Sequence, residues 1–246
     1  MTIYIILAIQ KMEKLDKELK GRDFKRHVID LLRADDFAGV LETFRSYPAR
    51  RVINPLFSCL CSTEPQTKWR AITALGAVVA NLAQDDMESA RVVMRRMIWN
   101  LNDESGGIGW GVPETMGEVM ARHEGLAREY VNILVSYIRE DGNFLEHEPL
   151  QQGVLWGLGR LAQTSPELLQ DAVPHLHPFL SSKDATLRGL AAWTIGLLDA
   201  GKAEPSLEIL EGDDAEVTLY LNGTERTYLV SELAKQAIKG IEGLRN

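Results

Sequence analysis

The sequence predicts an all-α protein, a right-handed α-α superhelix of stacked helix pairs with a small C-terminal β-hairpin and a capping helix. Three observations predict it. A short glycine-centred pattern returns four times along the 246 residues. The segments between its copies carry apolar residues at helical spacing. Near the C-terminus, Asn222-Gly223 joins two β-forming runs, the strongest short-range hairpin signal.

The four copies are TKWRAITALGAVVANLA (67–83), GWGVPETMGEVMA (109–121), QQGVLWGLGRLAQ (151–163) and ATLRGLAAWTIGLLDA (185–200). Their glycines, Gly76, Gly117, Gly159 and Gly196, are 41, 42 and 37 residues apart. That period fits a two-helix repeat. Partner helices are expected at about 50–62, 87–101, 126–140 and 166–181. The third of these copies a stripe seen in MESARVVMRRMIWNL, where Val92, Val93, Met97 and Ile98 fall on one face. Ser165-Pro166-Glu167 reads as the start of the fourth, with a capping residue, a first-turn proline and an acid. Breaks fall at Glu64-Pro65, Asp141-Gly142-Asn143 and 181–184.

EVTLYL (216–221) alternates and is followed by Asn222-Gly223 and TERTYLV. A last helix is expected over 231–244, the hairpin and helix together capping the open end of the stack. The chain thus divides into an N-terminal helical arm or cap (1–48), the repeats (49–202) and the hairpin with its capping helix (203–246).

LRGLAAWTIGLL resembles the core of HEAT and lyase-type HEAT-like repeats of the armadillo-type fold, with Leu187-Arg188 and Ala191-Ala192-Trp193-Thr194-Ile195-Gly196 in the patterned places. TKWRAITALGAV fits more loosely. WNLNDESGGIGWGVPE is similar to a segment of an uncharacterised group of bacterial HEAT-like proteins, which implies no particular activity. The resemblance covers about 50–200.

Composition narrows function. Hydrophobic residues are 45% and charged residues 25% of the chain, ordinary for a globular protein. The net charge of −8 makes a nucleic-acid partner unlikely, since such binders need a basic footprint. It favours basic peptides or small cationic ligands. Two cysteines, Cys59 and Cys61, exclude a disulfide framework and point to a reducing, cytoplasmic compartment. They are expected to be buried thiols. The apolar run in MTIYIILAIQ is too short to span a bilayer and is expected to pack on the first repeat.

The first candidate site is a tryptophan ladder. Trp69 and Trp110 stand seven residues before their repeat glycines, Trp156 and Trp193 three before theirs. Positions four apart share a helix face, and the resemblance places that face on the concave surface. Thr73, Glu114 and Gln152 fall in the same register. Such a row would be an aromatic-lined groove for a protein or peptide segment or a small cation. The alternative is packing between helices.

The second is the segment 100–114, where Gly106, Gly107, Gly109 and Gly111 stand in six residues beside Asp103, Glu104 and Glu114. A backbone so rich in glycine can approach a ligand closely. Its carboxylates suit a cation, or acid/base work by Glu104 and Glu114 if the chain is an enzyme. The alternative is a specially shaped turn with helix-capping carboxylates.

Other constellations carry less. His123-Glu124 and His147-Glu148 resemble the dyads of HEAT-repeat deoxyhypusine hydroxylases, but at a different register from the repeat glycine. Arg91, Arg95, Arg96, Lys68 and Arg70 form the densest basic cluster. HEAT-like base-repair glycosylases, which hold a cationic base between concave Trp and Asp, are a weaker comparison for this acidic chain. No catalytic triad, metal set or cofactor motif is recognisable, so no catalytic residue, metal or cofactor is expected. The leading expectation is a non-enzymatic binding scaffold.

Overall fold

The computed structural model describes residues 19, 21–102, 109–199, 205–221 and 223–240. The apolar N-terminal run, Asp103, Glu104, Gly106, Gly107 and the hairpin residue Asn222 lie outside the described residues.

Twelve α-helices and one hairpin are described. Helices α1 (Gly21–Arg33) and α2 (Phe37–Ser46) precede the repeats. Four pairs follow: α3 (Ala49–Cys59) with α4 (Pro65–Asp85), α5 (Met87–Asn102) with α6 (Val112–Arg122), α7 (Glu124–Ser136) with α8 (Glu148–Ala162), and α9 (Val173–Leu180) with α10 (Ala185–Leu197). A short α11 (Ser206–Ile209) leads to β1 (Glu216–Leu221), β2 (Thr224–Leu229) and α12 (Val230–Lys239).

The second helices form one layer. Helix α4 packs on α6, α6 on α8, α8 on α10, and α10 on α12. These helices are buried nearly all round, whereas α5 and α7 bury one stripe and expose the other. That difference is why a glycine-centred pattern marks the second helix: neighbours on both sides demand small residues. A Cβ on Gly117 would strike the backbone of Gly157, and one on Gly159 the ring of Trp193. One on Gly76 would lie 2.5 Å from Cγ of Glu118. Gly76, Gly117 and Gly159 therefore each leave their side-chain space to a neighbour's backbone or side chain.

The chain starts its helices by local chemistry. Asp36 caps α2 and Asp184 caps α10 by accepting backbone N–H groups, and Pro65, Pro113 and Pro149 stand in the first turns of α4, α6 and α8. One start differs from expectation. Ser165-Pro166-Glu167 opens a 3-10 turn, and α9 begins only at Val173. A helix run from 166 would need an N–H at Pro174 that proline lacks.

Strands β1 and β2 pair antiparallel, with Leu221 opposite Thr224 across a two-residue turn whose Gly223 has φ +84°, the left-handed region glycine favours. Val217 and Leu219 point to one side of β1 and Tyr220 to the other, yet all three are buried. The strand is covered along its Val217–Leu219 face and, on the other, at Tyr220, with Glu216 and Thr218 exposed. Val217 sits against Gly189 of α10, where a Cβ would lie 2.8 Å from Val217 Cγ2, and Tyr220 enters the space over α4 and α8.

No described helix is long and apolar enough to cross a membrane. Cys59 is buried, and burial raises its thiol above the usual range. Cys61 is exposed, against the expectation of two buried thiols.

Candidate functional site

Trp69 on α4 and Trp156 on α8 meet with ring centroids 4.8 Å apart. Helix α6 lies between their helices, so side chains from either side converge above it and the face is concave. Tyr220 completes the cluster. Its ring stacks on Trp69 at 4.8 Å with planes 1° apart, and its carbonyl accepts the Trp156 indole N–H at 3.1 Å. The hairpin thus lies in the concave face and holds both tryptophans.

The ladder resolves into different roles. Trp69 is half-buried and Trp156 buried beneath the hairpin. Trp193 is a correction. It is 1% exposed and fills the space left by Gly159 on α8, so it is a packing residue between α8 and α10. Its indole N–H has no hydrogen-bond partner among the described residues. Trp110 stands just before α6, 40% exposed, with its ring edge-on to His147 at 5.6 Å. Residues three or seven before a glycine share a helix face, but what lies opposite depends on the neighbouring repeat.

Two compartments remain on the concave face, one on each side of the aromatic cluster. The first, about 190 Å³, is bordered by Lys68, Trp69, Trp110, Glu114, Gln152 and Thr218. Glu114 is 5% exposed and fits over Gly153, where a Cβ would lie 2.6 Å from its Oε2. Lys68 Nζ donates to Glu114 Oε1 at 3.0 Å and lies 5.3 Å from the Trp69 ring centroid. Gly109 packs against Leu101 and Leu150, and Gly111, at φ +71°, precedes α6 and abuts Leu60. Of the glycines and carboxylates singled out in segment 100–114, Gly109, Gly111 and Glu114 are within the described residues, and Glu114 is already ion-paired.

The second compartment, about 330 Å³, is bordered by Phe37, Leu41, Thr73, Glu118, Arg122 and Arg160, with Trp156 and Tyr220 as its shared wall. Sequence reasoning missed it. Glu118 is 3% exposed. Arg122 Nε donates to its Oε1 at 2.6 Å and Arg160 Nε to its Oε2 at 2.6 Å. The Tyr220 hydroxyl is buried beside Thr73, without a close hydrogen bond among the described residues. Burial raises its phenol above the usual range, and Thr73 offsets part of that. A signal existed: Glu118 and Arg122 are four apart on α6, and Arg160 follows Gly159 one repeat later.

The remaining candidates are structural. His123 Nδ1 accepts the Leu126 N–H and so caps α7, and His147 stands at the cap of α8. Arg91 forks onto Glu129, Arg95 bonds Glu88, Arg96 bonds Asn54, and Arg70 donates to the carbonyls of Leu32 and Ala34. The basic cluster is therefore spent on neighbouring groups rather than gathered in a groove. Among the described residues no three His, Cys, Asp or Glu side chains come together as a metal site.

A model of the HEAT-like repeat matches residues 148–198, which span α8, α9 and α10. No curated protein matches the chain. Among solved structures, an engineered protein is 17% identical, with 89% of this chain and 96% of that one covered at a TM-score of 0.49. A designed armadillo repeat protein, YIII(Dq)4CqI, is 15% identical over 89% of this chain and 99% of its own, at 0.43. Computationally designed armadillo repeat proteins for modular peptide recognition are 15% identical over 87% and 98%, at 0.46.

Proposed function

We propose that this helical-repeat chain, whose residues 148–198 match a model of the HEAT-like repeat, is a non-enzymatic binding scaffold whose concave face takes an extended protein or peptide segment carrying an aromatic side chain. The observation that carries this reading is the chain's own occupant. Tyr220, on an extended strand, stacks on Trp69 while its carbonyl takes the Trp156 N–H. A face that holds one extended segment by ring stacking and a carbonyl bond has the chemistry to hold another alongside it.

The partner segment would enter the compartment between Trp69, Trp110 and Gln152, next to β1. Trp110, edge-on to His147 yet 40% exposed, is the most open aromatic surface there. The small-cation reading is less favoured, because Lys68 already neutralises Glu114. For the same reason Glu114 is poorly placed as an acid or base for an enzyme on the 100–114 segment. A base-repair role would need free cations along the groove, and the arginines of α5 are engaged on Glu88, Glu129 and Asn54.

The test is selection of random peptides against the full chain, followed by binding of the winners to Trp110→Ala and to Trp99→Ala. Trp99 is exposed on α5 and serves as the control. The reading requires aromatic residues at a fixed place in the winners and loss of binding in Trp110→Ala alone. Winners without aromatic enrichment, or equal loss in both variants, would sink it.

A further inference from the structure

The compartment on the other side of Tyr220 has a different character, and it does not depend on the peptide reading. The chain as a whole is acidic, at −8. Yet the charged groups bordering this compartment are two arginines and one glutamate, leaving one positive charge uncompensated. Glu118 is held at both oxygens, Oε1 by Arg122 and Oε2 by Arg160. These charge-assisted contacts, with a bond from Arg160 Nη1 to Gln163 Oε1 at 3.4 Å, hold the two guanidiniums in place. Each guanidinium still has N–H groups that Glu118 does not take, since each carries five. Arg122 and Arg160 keep about a quarter of their side-chain surface accessible, whereas Glu118 keeps only 5%. What a ligand meets is therefore the cationic side of the cluster.

The rest of the wall is mostly apolar, with Thr73 and Gln163 as polar members. Phe37 and Leu41 of α2, Trp156 of α8 and Leu221 of the hairpin border it. Tyr220 adds a hydroxyl that is more than nine-tenths buried beside Thr73, with no close hydrogen bond among the described residues. At about 330 Å³, the space lies at the small end of ligand pockets.

We propose that this compartment binds a small organic monocarboxylate with an apolar body, its carboxylate on Arg160 and Arg122 and its body against Phe37, Leu41 and Trp156. One uncompensated charge matches a monoanion better than a dianion such as a phosphate monoester. The planar fork of arginine suits a carboxylate.

Phenylacetate, titrated calorimetrically into the full chain, is the probe, with phenylacetamide as its neutral isostere. The expected result is one saturable site for phenylacetate, with the amide bound at least about tenfold more weakly. Glu118→Gln removes the competing carboxylate without changing shape and raises the compartment's charge, so it should tighten phenylacetate about tenfold. Arg160→Gln should weaken it at least as much; if that variant does not fold, Glu118→Gln decides alone. Equal binding of acid and amide, no tightening in Glu118→Gln, or tighter binding of phenyl phosphate than of phenylacetate would each overturn the assignment. Acetyl-Ala-Phe with a free C-terminus, binding more tightly than phenylacetate while its amidated form does not, would support the site and identify a chain end as the carboxylate's source.

Discussion

Tyr220 lies flat on Trp69, 151 positions away in the sequence yet in ring contact at 4.8 Å with planes 1° apart. The tail of the chain therefore occupies the face that the repeats build. Two substitutions separate the parts of this contact. Tyr220→Ala removes a buried ring and should cost about 3–5 kcal/mol in urea unfolding. Tyr220→Phe keeps the stack and deletes a buried hydroxyl whose contact with Thr73 is not a close hydrogen bond, so it should change stability by no more than about 1 kcal/mol. A loss in Tyr220→Phe as large as in Tyr220→Ala would mean that the hydroxyl, not the ring, holds the hairpin.

The tryptophans should divide by position rather than by register. Trp193→Ala opens a cavity at the α8–α10 contact and should cost about 3–5 kcal/mol. Trp110, exposed at 40%, should cost under about 1 kcal/mol when truncated. Chemical denaturation of the two variants side by side checks this. Equal costs would return Trp193 to the open face.

The stacking of helix pairs was legible in the sequence because its cause is local and repeated. A second helix squeezed by two neighbours needs glycine at the crossing, and Gly76, Gly117 and Gly159 each meet a neighbour there. The Asn-Gly hairpin was legible for the same reason. The landing place of that hairpin was not, because nothing near Tyr220 in sequence points to Trp69. Trp193 was misassigned because its face of α10 is set by the absence of a side chain at Gly159, one repeat away. The Glu118 cluster was overlooked because its arginines stand on two different helices, and charge patterns are read along one.

The glycine contacts make a graded prediction. Gly117→Ala pushes a methyl into the backbone of Gly157, where no side chain can swing away. It should cost at least about 2–3 kcal/mol, the upper part of the overpacking range. Gly212→Ala, with open space around it, should stay within about 0.5 kcal/mol of the parent. Equal thermal midpoints for the two would show that the α6–α8 contact can relax.

Alkali should weaken the fold through Tyr137. Its side chain is buried, and burial pushes its phenol up to about 12. The unfolded chain ionises near 10, so between these values the unfolded state loses a proton that the folded state keeps. Stability therefore falls as pH rises from about 10 to about 12, by up to roughly 3 kcal/mol for this residue. Tyr137→Phe should flatten that slope in urea titrations at pH 9, 10 and 11. An unchanged slope would place the effect elsewhere.

Acid should act on the other end of the molecule, through Asp213. Its Oδ2 accepts from Arg188 Nε at 2.7 Å, joining α10 to the segment that enters β1. Its Oδ1 accepts the Ala215 N–H at 3.1 Å, and its carbonyl accepts the Ser231 N–H at 2.9 Å at the start of α12. The Arg188 bond holds the carboxyl below the ordinary aspartate range, and the Ala215 N–H adds to it. A depressed folded value means that the stabilisation is complete above the unfolded value near 4 and is lost as pH falls through the folded one. Because Tyr220 and Val217 follow on the same strand, protonating Asp213 should loosen the hairpin before the repeats unfold. Hydrogen exchange at pH 3 should then show faster exchange in 216–229 than in α6, and Asp213→Asn should show the same pattern at pH 7. Equal protection of hairpin and α6 in that variant would mean that the Tyr220–Trp69 stack holds the hairpin without the Arg188 tether.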